Sequence, residues 1–372
     1  MKRNLSIDYL RGFTIVLVVM THALIAYNAF PRGWLLYDSN NTWLYIHHIA
    51  WFNDIFFMSL LFFISGLFLW NSIEKKGVLR FTGKRLIRLG IPLLIGVFIT
   101  NIPGFYFEKA YRITKYGAPA PSYMEFWLDN IRNITARNMW SLWFLELLII
   151  FSIIAIILYK VFPSLGKIIR TKGAYFFNRT WLFILTLFIL STLAYTLMLF
   201  KFGEEWLLFG PFMFQLNRIL HYFVYFIMGI LTGIYGLNRG VLKPDSPMAK
   251  YWYIWLVSGV IGQVSRSLID TTKSIIIDGV FFTFICMTVS IGLLGFFIRY
   301  VKNNNKVFDS LSRSSYGIYI VHMPILVTLQ YLLLSIDFFS VFKPWVVVII
   351  GLLLSWGLIA ALRLIPVVRK VI

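Results

Sequence analysis

The stretch SIDYLRGFTIVLVVMTHALIAY, residues 6–27, decides the class of fold. It is an apolar run of the length that a helix needs to cross the roughly 30 Å hydrocarbon core of a bilayer, about 20 residues. Arg11 and His22 interrupt this run about three helical turns and 16 Å apart, so both lie on nearly one face. Because ionisable side chains at membrane depth need a cavity or a partner, we expect that face to point into one polar cavity.

The rest of the chain repeats this apolar pattern. Of its 372 residues, 59% are hydrophobic and only 13% are charged, which excludes a soluble globular protein, where about 25% are charged. The long runs also exclude a barrel of short alternating strands and a disordered chain. The candidate spans are about 10–30, 54–72, 87–107, 141–161, 181–200, 217–237, 251–270, 275–298, 315–335 and 345–365. We predict an all-α, polytopic membrane helix bundle with about ten transmembrane helices, forming a single domain over 1–372 with no appended soluble domain.

The net charge of +20 has a membrane explanation. In a soluble protein it would indicate nucleic acid binding, but here most lysines and arginines fall in the connections on one side of the predicted spans. The positive-inside rule then predicts that both termini are cytoplasmic, N-in and C-in, and we expect no nucleic acid partner. The long connection at 108–139 is expected to fold onto the membrane surface or to cap a cavity. Cys286 is the single cysteine, which excludes a disulfide or a cysteine-based zinc site, and we expect no metal.

The third predicted span begins with a basic cluster in FTGKRLIRLGIPLLIG. Lys84, Arg85 and Arg88 stand at its cytoplasmic end, and Arg85 and Arg88 share a helix face. Arginine forks bind phosphates better than a single point charge does. The cluster therefore indicates either a site for a phosphate-bearing ligand or positive-inside anchoring.

Two further spans carry ionisable groups. In MWSLWFLELLII, Glu146 lies within an apolar run with Trp143 one turn earlier, and a buried carboxylate there should meet an arginine, a histidine or a hydroxyl. In NRILHYFVYFIMG, Arg218 and His221 lie near the outer end of the sixth span. They are either substrate contacts or interfacial anchors.

The ninth span begins SRSSYGIYIVHMPILV, with Ser315, Tyr316 and Gly317 at the helix entrance. His322 lies about one and a half turns deeper, and Pro324 is expected to kink the helix. Spacing alone leaves His322 as a substrate contact or a packing residue. His22 in the first span leaves a similar choice, because it could either serve a site in the cavity or simply hydrogen-bond a neighbouring helix.

Taken in order, these motifs resemble the acyltransferase 3 family of membrane acyltransferases. The motifs are Arg11-x10-His22, Phe56-Phe57 with Ile64-Ser65-Gly66, Arg85-x-x-Arg88 followed by Pro92, Trp143-Phe144-Leu145-Glu146, and Ser315-Tyr316-Gly317 with His322-x-Pro324. Family members acylate sugars of O-antigens, peptidoglycan, periplasmic glucans and exopolysaccharides. The resemblance spans almost the whole chain. Within the family, the chain is most similar to the glucan succinyltransferase and exopolysaccharide O-acyltransferase branches.

The resemblance implies a reaction and a location. The donor would be acyl-CoA, either acetyl-CoA or succinyl-CoA, bound at the arginine pair, and the acceptor a carbohydrate or glycolipid reached across a bacterial inner membrane. His22 would be the catalytic residue with Arg11 as its motif partner, and the Ser-Tyr-Gly element would line the inner part of the same site. Many members carry a C-terminal SGNH-type esterase domain. Because this chain stops at Ile372, we expect transfer to finish within the membrane domain or with a separate extracytoplasmic transferase.

These residues give a hypothesis for the chemistry. A hydroxyl that attacks a thioester needs a general base that titrates near neutrality, which suits His22. Glu146 could orient it, and Arg11 or Arg218 could stabilise the oxyanion. An acyl-His22 relay is a second route beside direct base catalysis. The expected catalytic residues are His22, Arg11 and Glu146; the expected donor-binding residues are Lys84, Arg85, Arg88, Ser315, Tyr316 and Gly317; the expected substrate-binding residues are Trp143, Arg218, His221 and His322.

Two other classes of function remain open. A transporter or flippase would use the buried histidine, glutamate and arginine side chains as a proton or substrate pathway, although the sequence lacks the paired, interrupted halves common in transporters. A purely structural scaffold would leave His22 and Glu146 at membrane depth without a purpose. We therefore favour an acyltransferase that transfers groups other than amino-acyl groups.

Overall fold

The apolar stretches fold into long helices, two of which begin at an asparagine cap. Asn4 starts the first helix, because its side-chain oxygen accepts a hydrogen bond from the backbone N–H of Ile7 at 3.2 Å. Asn305 starts another in the same way, accepting from Val307 at 2.9 Å. The computed structural model describes residues 4–30, 35–135, 140–209, 212–269, 274–336 and 340–372.

The helices and strands follow one another along the chain. They are α1 (Leu5–Leu24), α2 (Leu44–Leu67), α3 (Leu69–Lys76), α4 (Val78–Ile95), α5 (Ile102–Lys115), α6 (Tyr123–Arg132), α7 (Trp143–Val161), α8 (Leu165–Lys172), α9 (Ala174–Phe177), α10 (Thr180–Phe202), β1 (Trp206–Phe209), β2 (Phe212–Gln215), α11 (Leu216–Tyr235), α12 (Pro247–Lys250), α13 (Trp252–Leu268), α14 (Ile275–Tyr300), α15 (Lys306–Leu333), α16 (Lys343–Leu362) and α17 (Pro366–Val371). A five-residue π-helical segment, Gly96–Thr100, joins α4 to α5.

The predicted helical membrane bundle is confirmed. Within the described residues, nine segments are long and apolar enough to cross a membrane: Leu5–Tyr27, Leu44–Lys76, Val78–Lys115, Trp140–Val161, Thr180–Phe202, Leu216–Tyr235, Ile275–Tyr300, Lys306–Leu333 and Lys343–Leu362. The remaining predicted span, 251–270, corresponds to α13. Its 17 residues extend roughly 25 Å, so this helix is shorter than each of the nine segments. Residue 270 itself lies outside the described residues.

The two ends of the chain lie at the same end of the bundle. The start of α1 is tied to the α14–α15 connection, where Ser6 Oγ donates to the carbonyl of Val301 at 3.0 Å. The end of α16 is tied to the start of α15, where Arg363 donates to the carbonyl of Arg313 at 2.9 Å. We call this the termini end and the opposite one the far end. At the far end, Lys343 and Asp38 form a buried ion pair at 2.6 Å.

Some helices form the centre of the bundle and others its rim. The spans containing α2 and α14 are each 78% buried inside the protein, whereas that of α16 is 28% buried and presents its apolar residues outward. Close packing needs small residues between α2 and α11, because a Cβ on Gly229 or Gly233 would collide with the main chain at Phe63 and Leu67. The small residues thus allow α2 and α11 to pack closely in the centre of the bundle.

Of two connections at the far end, one departs from the all-helical expectation and the other is partly helical. The chain between α10 and α11 forms an antiparallel hairpin, in which Trp206 pairs with Gln215 and Phe209 with Phe212. The hairpin lies between the predicted spans 181–200 and 217–237, and its two short strands, WLLF and FMFQ, are mostly apolar, so they lack the alternation that would mark a half-buried strand. The long connection at 108–139 contains the end of α5 and all of α6, with residues 136–139 outside the described part.

Candidate active site

A cavity of about 350 Å³ lies near the termini end, walled by α1, α2, α4, α7 and α15. We call it the arginine cavity. Its lining residues are Asn4, Asp8, Arg11, Ile15, Leu61, Ile64, Ser65, Phe68, Arg85, Arg88, Leu89, Phe144, Leu148, Ser315, Tyr316 and Tyr319. Three guanidinium groups against one carboxylate give this cavity an excess of positive charge.

The arginines are held in defined positions. Arg85 donates through Nε to the Ser152 hydroxyl at 3.1 Å, and its Nη2 is buried with no acceptor among the described residues. The Arg88 guanidinium lies 5.7 Å from the centre of the Tyr316 ring, whose hydroxyl donates to the Arg88 carbonyl at 2.6 Å. A buried guanidinium nitrogen without an acceptor is well suited to an anionic ligand.

Arg11 is shared between this cavity and the helix packing. Its Nη2 lies 3.3 Å from Asp8 Oδ1 and 3.4 Å from the Ser312 carbonyl. Two residues predicted for the same site lie elsewhere. Lys84 is exposed on α4 and does not line the cavity, and Gly317 packs against Ile359 of α16, where a Cβ would collide. The structure thus brings together most of the predicted donor-binding residues.

A larger cavity of about 540 Å³ lies toward the far end. Four tryptophans of the described chain line it, so we call it the tryptophan cavity. The lining residues are Val18, Thr21, His22, Ile25, Asn28, Ala50, Trp51, Asp54, Phe57, Met58, Trp140, Ser141, Trp143, Glu204, Trp206, Leu208, Met213, Gln215, Arg218 and Tyr319. Aromatic walls with a few polar groups are typical of sites for organic ligands.

His22 faces this second cavity, together with the end of α1. Its Nδ1 lies 3.1 Å from Nε2 of His322 on α15, and the His322 Nδ1 lies 2.7 Å from the Tyr319 carbonyl. Gln330 of α15 donates to the carbonyls of His22 and Ala23, both at 3.1 Å. The helix end that carries His22 is therefore fixed to α15.

One side chain forms part of both cavities. Among the described lining residues, Tyr319 is the only one common to the two. It is 3% exposed, and its hydroxyl donates to the Ser141 carbonyl at 2.5 Å. We predicted a single cavity for Arg11 and His22. The structure has two instead, because the Tyr319 ring fills the space between the levels of those two side chains.

The hairpin closes the tryptophan cavity, a task for which the sequence had suggested the 108–139 connection. None of the described residues 108–135 lines it, whereas Trp206, Met213 and other hairpin residues do. Glu146 contributes to this closure, since its Oε2 accepts from the backbone N–H of Met213 at 3.4 Å. Glu146 itself lines neither cavity. The sequence had suggested that Glu146 orients His22, whereas in the structure its carboxylate bonds to the hairpin.

The two remaining predicted residues lie in different surroundings. Arg218 lines the tryptophan cavity and donates to Asp54 Oδ2 at 2.7 Å while remaining 4% exposed. His221 is fully buried among helices, 3.1 Å from the Ser59 hydroxyl and 3.4 Å from the Cys286 sulfur. His221 lines neither cavity.

Sequence reasoning missed several residues of the site. Asp54 is an acid at the first position of a predicted span, a signal of the same kind that identified Glu146. Tyr319 lies one turn after Tyr316 and one turn before His322, so the helical spacing could have placed it between them. The hairpin residue Trp206 carried no comparable signal, because it lies in a connection between two predicted spans and not at membrane depth.

The nine long apolar segments of the described residues define a multi-pass integral membrane protein. Its interior holds a positively charged cavity next to an aromatic cavity that His22 lines. The family model of acyltransferase 3, described as an acyltransferase domain, matches residues 4–364. The chain belongs to this family and is an acyltransferase.

A distant relative lies in the same family. Glucans biosynthesis protein C of Salmonella gallinarum is 24% identical over 237 residues, which are 63% of this chain and 59% of that protein. The chain thus spans about three fifths of the length of the curated relative it matches. No solved structure matches this chain.

Proposed function

We propose that the protein moves an acetyl or succinyl group from cytoplasmic acyl-CoA to a hydroxyl of an extracytoplasmic carbohydrate. The observation that carries this proposal is the pair of cavities, one basic and one aromatic, which approach from opposite ends and share the wall residue Tyr319. An enzyme that joins substrates from two sides of a membrane needs this arrangement. The termini end would then face the cytoplasm, as the charge distribution predicts.

The arginine cavity is the proposed donor site. In acyl-CoA a long flexible arm joins the acyl group to the phosphates of the nucleotide, and Arg85 and Arg88 offer guanidinium groups at the termini end for those phosphates. A cavity of about 350 Å³ suits the arm and not the whole nucleotide, which would remain at the mouth. The acyl end of the arm would point toward Tyr319 and His22.

The tryptophan cavity is the proposed acceptor site. Indole rings such as Trp143 and Trp206 present flat apolar faces against which a sugar ring can pack, while Asp54 and Gln215 offer groups for its hydroxyls. The name of the Salmonella relative supports a glucan or related polysaccharide of a bacterial envelope as the acceptor class. A bacterial inner membrane is the matching location, and a separate extracytoplasmic transferase remains a candidate partner.

The reaction follows from these positions. His22 accepts the proton of the acceptor hydroxyl as its oxygen attacks the thioester carbonyl; the new C–O bond forms, the C–S bond breaks, and the thiolate of CoA takes the proton. Arg218 lines the same cavity as His22 and can stabilise the oxyanion, whereas Arg11 lies in the other cavity. In the alternative relay, the acyl group rests on His22 before the acceptor arrives.

Donor binding and thiol release test this function. The purified protein in detergent would be given acetyl-CoA and succinyl-CoA, and bound nucleotide and free CoA thiol would be measured for wild type, His22→Ala and Arg85→Ala/Arg88→Ala. We expect the wild type to bind and turn over, the histidine variant to bind only, and the arginine variant to lose binding. Lys84→Ala, exposed on the same helix outside the cavity, is the matched control.

Failure to bind either donor by folded wild-type protein would contradict the proposal. In that case proteoliposomes should be tested for substrate or proton movement that depends on His22, because two back-to-back cavities also fit a transport pathway. A trapped acyl adduct on His22, formed without acceptor, would favour the relay over direct base catalysis.

A further inference from the structure

We infer that Asp54 is the specificity-determining residue of the tryptophan cavity, where its carboxylate accepts hydrogen bonds from the hydroxyls of a neutral sugar and repels an acidic sugar. The inference rests on the proposed function, because it narrows the acceptor of that proposal to uncharged sugars. Asp54 and its ion-pair partner Arg218 both line this cavity, but they are buried to very different degrees.

The ion pair presents its acid to the cavity and its base to the protein. Arg218 Nη1 lies 2.7 Å from Asp54 Oδ2, but 39% of the Asp54 side chain is exposed and only 5% of the Arg218 side chain. The guanidinium packs against an aromatic ring, with its carbon 5.0 Å from the centre of Phe282. A ligand in the cavity therefore meets carboxylate oxygen before it meets the guanidinium.

Arg218 fixes the direction of this carboxylate. Its Nη1 also donates to the Asp54 backbone carbonyl at 3.3 Å, so one nitrogen holds both the main chain and the side chain of Asp54. The structure gives Asp54 Oδ1 no hydrogen-bond partner among the residues it describes. Because a carboxylate oxygen can only accept, this remaining oxygen is suited to hydroxyl donors. A carboxylate that is already held in place also loses little freedom when a ligand binds.

Aromatic surface lies beside the carboxylate. Asp54 shares one face of α2 with Trp51, one turn before it, and with Phe57, one turn after it, and all three line the cavity. Gln215, just before α11, adds an amide that can both donate and accept. A flat apolar ring next to hydrogen-bonding groups matches a sugar, which has apolar C–H faces and hydroxyl edges.

The charges of the cavity disfavour an acidic sugar. Among the described lining residues it has two carboxylates, Asp54 and Glu204, and one guanidinium, that of Arg218, which already pairs with Asp54. The arginine cavity has the opposite balance, with three guanidinium groups and one carboxylate. A uronic acid carboxylate brought against Asp54 would place two like charges together away from bulk water. Anionic ligands are thus favoured in one cavity and disfavoured in the other.

Sugar binding to the intact protein tests the inference. Calorimetry in lipid nanodiscs would compare cellopentaose with its uronic acid counterpart, in which carboxylates replace the hydroxymethyl groups. We expect the wild type to bind the neutral sugar at least about tenfold more tightly. In Asp54→Asn this preference should fall at least about tenfold, because the neutral sugar loses a charged acceptor and the acidic sugar gains the unpaired Arg218 guanidinium. An unchanged preference in this variant, a wild type that favours the acidic sugar, or no binding of either sugar overturns the inference.

Two further variants distinguish recognition from folding. Asp278→Asn breaks a similar pair with Arg266, whose guanidinium carbon lies 6.0 Å from the centre of the Phe282 ring, and both residues lie outside the two cavities. It should keep the wild-type preference, and a loss equal to that of Asp54→Asn would contradict a role for Asp54 in recognition. Asp54→Glu keeps the charge and should still favour the neutral sugar, whereas an equal affinity for both sugars would contradict charge selection.

Donor binding shows that each variant is folded, since Asp54 lies outside the arginine cavity. The sugar preference is measured by binding alone and does not depend on turnover. If the wild type releases no CoA, the proposed function fails, whereas a preference that disappears in Asp54→Asn still assigns neutral sugar recognition to this residue.

Discussion

The two cavities are built from the same central helices but differ in chemistry and in construction. Helices and the residues that cap them wall the arginine cavity, which gathers three guanidinium groups around about 350 Å³. The tryptophan cavity is larger, about 540 Å³, and includes loop and hairpin residues as well as helix ends. One cavity is thus charged and built on helices, and the other is aromatic and closed by a short two-stranded hairpin.

The presence of two cavities accounts for the two polar residues on one face of α1. Arg11 and His22 lie about three turns apart, so one helix reaches both cavities while Tyr319 separates them. In the proposed reaction, this single helix would set the distance between the donor phosphates and the reacting atoms. The comparison predicts that damage to one cavity should leave binding in the other intact.

The strongest test removes the base from the tryptophan cavity. We expect His22→Ala to reduce acyl transfer by about 10³-fold, because a positioned general base contributes on the order of 10²–10⁴-fold. Donor affinity should remain at the wild-type level, since His22 lies outside the arginine cavity. CoA thiol release and calorimetric donor binding measure the two effects.

The control for this variant is His48→Ala, a change of an exposed histidine on α2 that lines neither cavity. Its transfer rate should equal that of the wild type. A weakened donor affinity in His22→Ala would show that the two cavities are one site.

The second test acts on the arginine cavity alone. Arg85→Ala/Arg88→Ala should weaken donor binding by about 10²-fold, because a hydrogen bond to a charged group contributes about 1.5–3 kcal/mol. At saturating donor, kcat should change little. Donor titrations at several concentrations measure both values, and Lys84→Ala serves as the control on the same helix. A loss confined to kcat would argue against a donor site here.

The two cavities also differ in how far the sequence could predict them. Helical spacing and charge identified Arg85 and Arg88 as a pair on one helix face, and the family resemblance implied that Ser315 lies in the same site; all three line the arginine cavity. The tryptophan cavity depends on Trp206 of the hairpin and on the pairing of Asp54 with Arg218. Such contacts join segments far apart in sequence, and no local pattern specifies them.

The histidines show the same limit. Spacing placed His22 at mid-membrane and His322 on the ninth span, but it could not show that His22 Nδ1 lies 3.1 Å from His322 Nε2. It also grouped His221 with the substrate contacts, although that residue packs against Ser59 and Cys286 in the interior. A helix face has several directions, and only tertiary packing determines which of them meets a cavity.

A third test concerns the aromatic wall. Trp143→Ala should raise the KM for a carbohydrate acceptor about tenfold, because an aromatic contact contributes about 0.5–1.5 kcal/mol beyond its buried area. Donor binding should not change. Trp181→Ala is the matched control, since this residue is 63% exposed on α10 and lines neither cavity. An unchanged acceptor KM would remove the tryptophans from the acceptor site.

The smallest expected effect comes from the wall that the cavities share. Tyr319→Phe keeps the ring but removes the hydroxyl bond to Ser141, a loss of about 1 kcal/mol. A looser partition should admit water to the thioester and raise acceptor-free donor hydrolysis about threefold. Tyr316→Phe also removes a bond from a tyrosine hydroxyl to a carbonyl, but in the arginine cavity alone. In Tyr316→Phe the ratio of donor hydrolysis to acyl transfer should stay at the wild-type value. If this ratio rises in both variants, the extra hydrolysis arises in the donor site and not from the wall that Tyr319 forms.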